Sequence, residues 1–400
     1  MTTMRTIIIV TILTFGQLAV GQTIKTIKPE LGGSNDYTKA EEIVWQKTLD
    51  QYAKINSGDL NYGQLSEPDK KMIDSLEMMY GPMTQGVGCS WYCGGGPYKI
   101  TSSSYLKEQG KSTYLPDNLH DFDLFTAWVP DTKGGVIGKK VNFHFKSFSP
   151  RVNEVTIYNG YIKNKELWQA NSRAKKLKLY INNKPYANLE LQDVTASQSF
   201  KIDAIQSTDS KKDLVLTFEV IEIYKGTKYD DLAISEINFD GLDVHCFASG
   251  TNILLANKTE KNIELIKTGD SILTFNKQTN QLSKAAVTQL VVTRHSNLIK
   301  LTFDDREIIV TDDHPFFTEN KQWSSVNPDK SNNSYLQDNF VTRLSINDNV
   351  FVPADNKFIR LKNIEQLAGE QLTYTIDITT GDSFIANGLL VKTETVKWTN

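Results

Sequence analysis

The stretch HCFASGTNILLANKTEKNIELIKTGDSILTFN, residues 245–276, decides how this chain is read. It opens on His245 and Cys246, turns through small residues at Gly250 and Thr251, and then breaks into short apolar runs, NILL and SILTF, separated by polar turn-formers. Short apolar runs bounded by Gly, Asn and Asp are strands of a β domain rather than helices. The same texture continues downstream in AAVTQLVVTR, LIKLTF, REIIVT, NVFVPA, LTYTIDITT and SFIANGLLV. Residues 245–400 are therefore expected to form one all-β unit with Cys246 at its head. NPDKSNNSYLQDN, residues 327–339, reads as a polar loop within it.

Working outward, residues 86–244 also alternate, in KKVNFHFKSF, NEVTIYNGYI, KKLKLYIN, FKIDAI and DLVLTFEVIEIY, with Gly, Asn and Asp between the runs. Regular short strands of this kind predict an antiparallel β-sandwich. Residues 22–85 differ: YTKAEEIVWQKTLDQYAKI and SEPDKKMIDSLEMMYG carry apolar residues at spacings of three and four, and Ser66 to Asp69 form a cap signal around Pro68. Two short helices are expected there. Residues 1–21 have a basic start, the apolar run TIIIVTILTF and small residues before Gln22, the pattern of a cleaved secretory signal. Their apolar stretch falls short of the roughly 20 residues that span a bilayer, so no transmembrane segment is expected and the mature chain reads as secreted.

The whole chain has 400 residues, 39% of them hydrophobic and 23% charged, with a net charge of −3. That is ordinary globular composition, enough for two or three domains. With no Lys/Arg run longer than two, nucleic acid and anionic membranes are excluded as main partners. There are three cysteines. Cys89 and Cys93 in CSWYCGGG are four apart, near enough to bridge through one helical turn or a tight loop, and if they pair, Cys246 is the thiol left over.

A cysteine at the head of a β domain can attack the carbonyl of the peptide bond before it, here His245–Cys246, and turn the amide into a thioester. The step needs an imidazole to protonate the departing amine and hydroxyl or backbone donors for the oxyanion. VTDDHPFF, residues 310–317, places Thr311 and His314 three apart and offers both. Taken singly, Cys246 also fits an inert core thiol and His314 a turn residue.

Three ordered blocks resemble the Hint fold shared by hedgehog autoprocessing domains and inteins: residues 245–276, the Thr-x-x-His of VTDDHPFF, and TYTIDITTGDSFIANGLLV, residues 373–391. The resemblance implies an all-β horseshoe in which Cys246 is the nucleophile, Thr311 and His314 activate the bond, and Asp377 is a helper carboxylate. Asp377 also reads as a strand-end carboxylate satisfied by backbone amides. The departures decide which reaction the resemblance allows. Splicing members close on His-Asn, where this chain has Lys392 and Thr393, and Asp382 stands where a histidine usually precedes the ANG. A Lys-Thr pair forms no succinimide, so cleavage at His245–Cys246 without splicing is expected, the protein being its own substrate and water or a small nucleophile resolving the thioester.

The middle unit carries a second resemblance. YLPDNLHDFDLFTAWV, residues 114–129, the Gly160–Tyr161 turn and the ISEI of KGTKYDDLAISEINFDG resemble discoidin-like sandwiches of the NADase-type glycan-binding kind. Such sandwiches commonly hold a structural calcium ion, which on this chain implies Asp121, Asp123, Thr126 and Glu236 as ligands, hard oxygens of the type calcium accepts. Phe122 stands where the usual glycine separates the two aspartates, and a hydrogen-bonded Asp turn is the alternative. A glycan is the implied partner, with Trp91, Tyr92 and Tyr98 as exposed aromatic candidates, while Trp128 is expected in the core. Two functions are left: an exported self-cleaving precursor, or a surface glycan-binding protein whose last domain only folds.

Overall fold

The computed structural model describes residues 24–77, 91, 95–110, 112–242, 244–277, 279–296, 298–320, 322–334 and 341–393. The expected signal segment, Tyr92, and Cys89 and Cys93 with their expected bridge lie outside the described residues. The chain is mostly β, with largely antiparallel sheets and a few helices.

Ten strands build the first unit: β1 (Lys25–Ile27), β2 (Glu30–Leu31), β3 (Lys99–Ser102), β4 (Lys140–Phe145), β5 (Arg151–Asn159), β6 (Arg173–Ile181), β7 (Lys184–Glu190), β8 (Gln198–Ile205), β9 (Leu214–Tyr224) and β10 (Ile234–Leu242). They form a six-stranded sheet, β1-β7-β6-β9-β4-β3, and a four-stranded sheet, β10-β5-β8-β2. The alternation in KVNFHF has its reason here: Val141, Phe143 and Phe145 point into the core between the sheets, and the residues between them point away. Trp128 is buried in that core, as expected. Trp91 is buried too, its Nε1 donating to the Arg151 carbonyl at 3.0 Å, which corrects its reading as an exposed aromatic. Tyr98 is half exposed.

The N-terminal region holds both expected helices, α1 (Lys39–Ser57) and α2 (Glu67–Glu77). Thr38 and Glu41 close a capping box on α1, and Gly58 ends it in the left-handed conformation at φ 82°. Ser66 Oγ accepts from the Asp69 amide, the cap signal read from the sequence. Trp45, Leu49 and Met72 pack on Phe125, Tyr158 and Ile162 of the sandwich. The same region adds β1 to one sheet, parallel to β7, and β2 to the other, antiparallel to β8. A third helix, α3 (Lys165–Ala170), follows β5.

The second unit contains β11 (Phe247–Ala248), β12 (Asn252–Leu254), β13 (Glu260–Asn262), β14 (Ser271–Asn276), β15 (Gln281–His295), β16 (Leu298–Phe303), β17 (Glu307–Thr311), β18 (Phe316–Thr318) and β19 (Gln322–Ser325). After α4 (Pro328–Ser334) come β20 (Thr342–Arg343), β21 (Asn349–Val352), β22 (Lys357–Gln366), β23 (Gln371–Ile378), β24 (Ser383–Ala386) and β25 (Leu389–Lys392). Among the described residues these fifteen strands join one continuous sheet. Its core contains Phe247, Val310, Phe316, Ile376 and Phe384. Helix α4 corrects the polar-loop reading over Pro328–Ser334, and residues 335–339 lie outside the described residues. Pro328 sits at the first helical position and Asn327 Oδ1 accepts from the Lys330 amide, a start signal that outweighs the polar composition.

Candidate functional site

The site forms where the two units meet. β11 is only two residues long and lies between β17 and β23: Phe247 opposes Val310 on one side and Tyr374 on the other, and Ala248 opposes Thr373. Extending that register by one residue sets Cys246 between Thr311 and Thr375. The Thr311 side holds the peptide group directly. The Cys246 amide donates to Thr311 Oγ1 at 3.1 Å, and the Thr311 amide donates to the Cys246 carbonyl at 3.0 Å. Cys246 is fully buried and packs with Val244 and Val291.

His314 reaches the same place from the turn after β17. Its amide donates to the Thr311 carbonyl at 3.1 Å, closing the Thr-x-x-His turn, and Pro315 then directs the chain into β18. The imidazole is buried, meets the His245 ring edge-on at 4.3 Å between centroids, and lies 4.1 Å from the Phe247 ring. Neither ring nitrogen of His314 has a hydrogen-bond partner. Burial, reinforced by the neighbouring His245, holds its pKa well below the ordinary value, so the ring rests neutral.

Two features missed by sequence reasoning support this turn. Lys330 of α4, largely buried, lies 3.4 Å from the fully buried Asp313 carboxylate and 3.6 Å from Asp312. Ser331 Oγ donates to the Asp313 carbonyl at 2.7 Å. On the other side of Cys246, β15 and β23 present a shared face. Val291 opposes Thr375, Thr293 opposes Thr373, and Gln289 opposes Asp377. Since side chains alternate along a strand, all six lie on the face that Cys246 touches through Val291. Asp377 is thus two residues beyond Thr375, on the same face and farther from the register position of Cys246. The Thr375 and Thr293 hydroxyls are both buried without a hydrogen-bond partner.

The end of the second unit is held by a buried lysine and a threonine. Lys392 is fully buried, with its Nζ 3.9 Å from Asp382 and 5.2 Å from the Trp323 ring centroid. Lys277 pairs with the same carboxylate at 2.7 Å. Thr393 Oγ1 donates to the Ile376 carbonyl at 3.0 Å and its amide to the Asp382 carbonyl at 3.0 Å. These residues knit the end of the sheet together.

The four calcium candidates come together where the loop carrying Asp121, Asp123 and Thr126 meets Glu236 of β10. Glu236 Oε1 accepts from the Asp123 amide at 3.0 Å, Asp121 Oδ1 accepts from the same amide at 3.0 Å, and Thr126 Oγ1 donates to Asp121 at 2.9 Å. Phe122 adopts φ 58°, a left-handed conformation that suits glycine and strains a bulky side chain. Burial raises the pKa of Asp121 and Asp123, and that of Glu236 well above the ordinary carboxylate value. Glu236 Oε2 is buried without a hydrogen-bond partner. Among the described residues, no group of three or more His, Cys, Asp and Glu side chains is spaced to hold a metal ion. The loop is closed by its own hydrogen bonds.

The chain is thus a two-part, mostly β protein with a buried Cys–Thr–His cluster at the junction of its units. Comparison with known families assigns each unit a similarity. Residues 91–240 match the NAD glycohydrolase translocation F5/8 type C domain, and residues 247–355 match the Ataxin-1 and HBP1 module. The second match includes Thr311 and His314 and stops short of Thr375 and Asp377. No curated protein matches. Among solved structures, a DnaB intein from Synechocystis is 19% identical, covering 38% of this chain and 99% of its own, with a TM-score of 0.32. A bacterial intein-like domain from Clostridium thermocellum is 20% identical over the same shares, also with a TM-score of 0.32. Among the described residues no helix is long and apolar enough to cross a membrane.

Proposed function

We propose that the protein is an exported precursor that cuts its own chain between His245 and Cys246. One observation carries the reading: the nitrogen of that peptide bond donates to Thr311 Oγ1, while the imidazole of His314 lies against the His245 ring. In the proposed reaction the Cys246 sulfur attacks the His245 carbonyl carbon, the carbon–nitrogen bond breaks, and the thiol proton ends on the released Cys246 amine. His314, neutral at rest, carries that proton, and Thr311 holds the nitrogen as it leaves planarity. Water then hydrolyses the thioester, leaving a carboxylate on His245 and restoring the thiol. Lys392 and Thr393 leave no asparagine to cyclise, so splicing is outside the proposal.

The test is intact mass of the purified chain beside Cys246→Ala, with and without dithiothreitol or hydroxylamine. Two pieces meeting at His245/Cys246 in the wild type alone, with a thiol or hydroxamate adduct on the first, would support the reading. A chain that stays whole under every condition leaves the second unit as a fold without chemistry.

For the first unit we propose glycan binding, supported by its match to a family described by an F5/8 type C domain and by the exposed rings of Tyr98, Tyr105 and Tyr229. Calcium on Asp121, Asp123, Thr126 and Glu236 is part of the same proposal. The buried, partnerless Glu236 Oε2 favours it, and the Thr126–Asp121 hydrogen bonds have to open first. Adding calcium at pH 7.5 should raise the melting temperature of the wild type and leave Glu236→Gln unmoved. An unchanged wild type would reduce the loop to a hydrogen-bonded turn.

A further inference from the structure

We propose that Thr375 is a further catalytic residue, its hydroxyl donating to the Cys246 sulfur during the attack. The inference rests on the autocleavage reading above and names a participant that it lacks. Two independent relations place the residue. The β11–β23 register, set by the pairs Phe247–Tyr374 and Ala248–Thr373, continues to Cys246 opposite Thr375. Separately, Cys246 packs on Val291, and Val291 is the direct partner of Thr375 on β15. Directly opposed side chains lie about 4.5–5.5 Å apart at Cβ, within reach for an oxygen and a sulfur.

The hydroxyl itself supplies the second argument. Thr375 is fully buried and its Oγ1 has no hydrogen-bond partner. Leaving such a group unpaired costs about 1–3 kcal/mol, a penalty that folded proteins seldom carry without a use. A sulfur that becomes negative as it loses its proton is a strong acceptor, and a donor held in place beside it favours that charged form. No atom is transferred by Thr375: its proton stays on its oxygen while the thiol proton passes to the amine.

The experiment follows cleavage by intact mass in Thr375→Val, which keeps the shape and removes the donor, and in Thr375→Ser, which keeps the donor. Thr375→Val should slow the first step at least about tenfold and Thr375→Ser should stay within about threefold of wild type, the span of one well-placed hydrogen bond. Thr293→Val is the control, removing a second partnerless hydroxyl two residues along the same face; it should cut at the wild-type rate. A second readout does not depend on cutting: the ultraviolet absorbance of the Cys246 thiolate, titrated on a chain kept whole by His314→Ala with Cys246→Ala as blank. Thr375→Val should move that titration to higher pH. If no chain cuts, the autocleavage reading fails and the catalytic role of Thr375 with it, while the titration still decides whether its hydroxyl donates to the sulfur. A Thr375→Val chain matching wild type in rate and titration, or one changed only in melting temperature, would overturn the proposal.

Discussion

Thr311 acts on both faces of one residue, accepting from the Cys246 amide through its side chain and donating to the Cys246 carbonyl through its backbone. Only the first of these depends on the hydroxyl. Thr311→Ala should therefore keep the β11–β17 pairing and the melting profile, yet slow cleavage by about two orders of magnitude, while Thr311→Ser restores most of the rate; equal rates for Thr311→Ala and wild type would remove the hydroxyl from the mechanism. Histidine burial also predicts how the molecule responds to acid. Burial lowers the pKa of His120 to about 4, its Nδ1 lying 3.1 Å from the Ile237 carbonyl. A base whose folded pKa is depressed binds its proton more readily when unfolded, so its stability is intact above the unfolded value near 6.5 and is lost as pH falls towards 4. That difference corresponds to about 3 kcal/mol. Urea midpoints of the wild type should fall between pH 7 and pH 4.5, and His120→Asn should flatten that slope.

At the scale of elements, the small helix α4 has a function that its length does not suggest. It brings Lys330 to the buried Asp313 carboxylate one residue before His314. Lys330→Met should destabilise the second unit by about 3 kcal/mol, the cost of breaking a buried ion pair, and slow cleavage as the His314 turn loosens. Chemical denaturation and intact mass read the two effects separately. This helix also marks the limit of what the sequence makes legible. Strand texture was plain wherever apolar residues alternate, as in NFHF, and the Cys246, Thr311 and His314 blocks could be found because each is a local signature. Thr375 and Lys330 carry no such signature. Their relation to Cys246 and Asp313 arises from the pairing of strands and the docking of a helix far apart in the chain. Phe122 lies between: two aspartates flanking a bulky residue looked unfavourable for a tight turn, and the structure makes the turn with a strained φ. β1 and β2 were invisible because two or three residues give too little periodicity to read.

At the scale of the molecule, the His245–Cys246 bond is one of several links between the units. Arg294 of β15 donates from Nε to the Ser147 carbonyl at 2.7 Å, its amide donates to the Phe148 carbonyl at 2.9 Å, and Gln206 donates to the Val292 carbonyl at 3.1 Å. Glu370 takes Arg294 at 3.1 Å and Lys146 at 3.3 Å. None of these needs the His245–Cys246 bond, and His245 itself is buried beside His314. A cut chain should therefore run as one species in gel filtration and separate only in denaturant, or on Arg294→Ala with raised salt, which screens the partly exposed pairs. Prompt separation of wild-type pieces in native buffer would show these contacts to be too weak to hold them.

The parallel pairing of β1 with β7 has one more consequence, in the order of events during synthesis. Residues 25–27 are made well before their partners, 187–189, and β2 waits for β8 in the same way. Contacts so distant along the chain close slowly, because the intervening loop entropy is lost before the pairing rewards it. Residues 25–31 thus stay open until β7 and β8 have been made, and their pairing is expected to be a slow step in closing the sandwich.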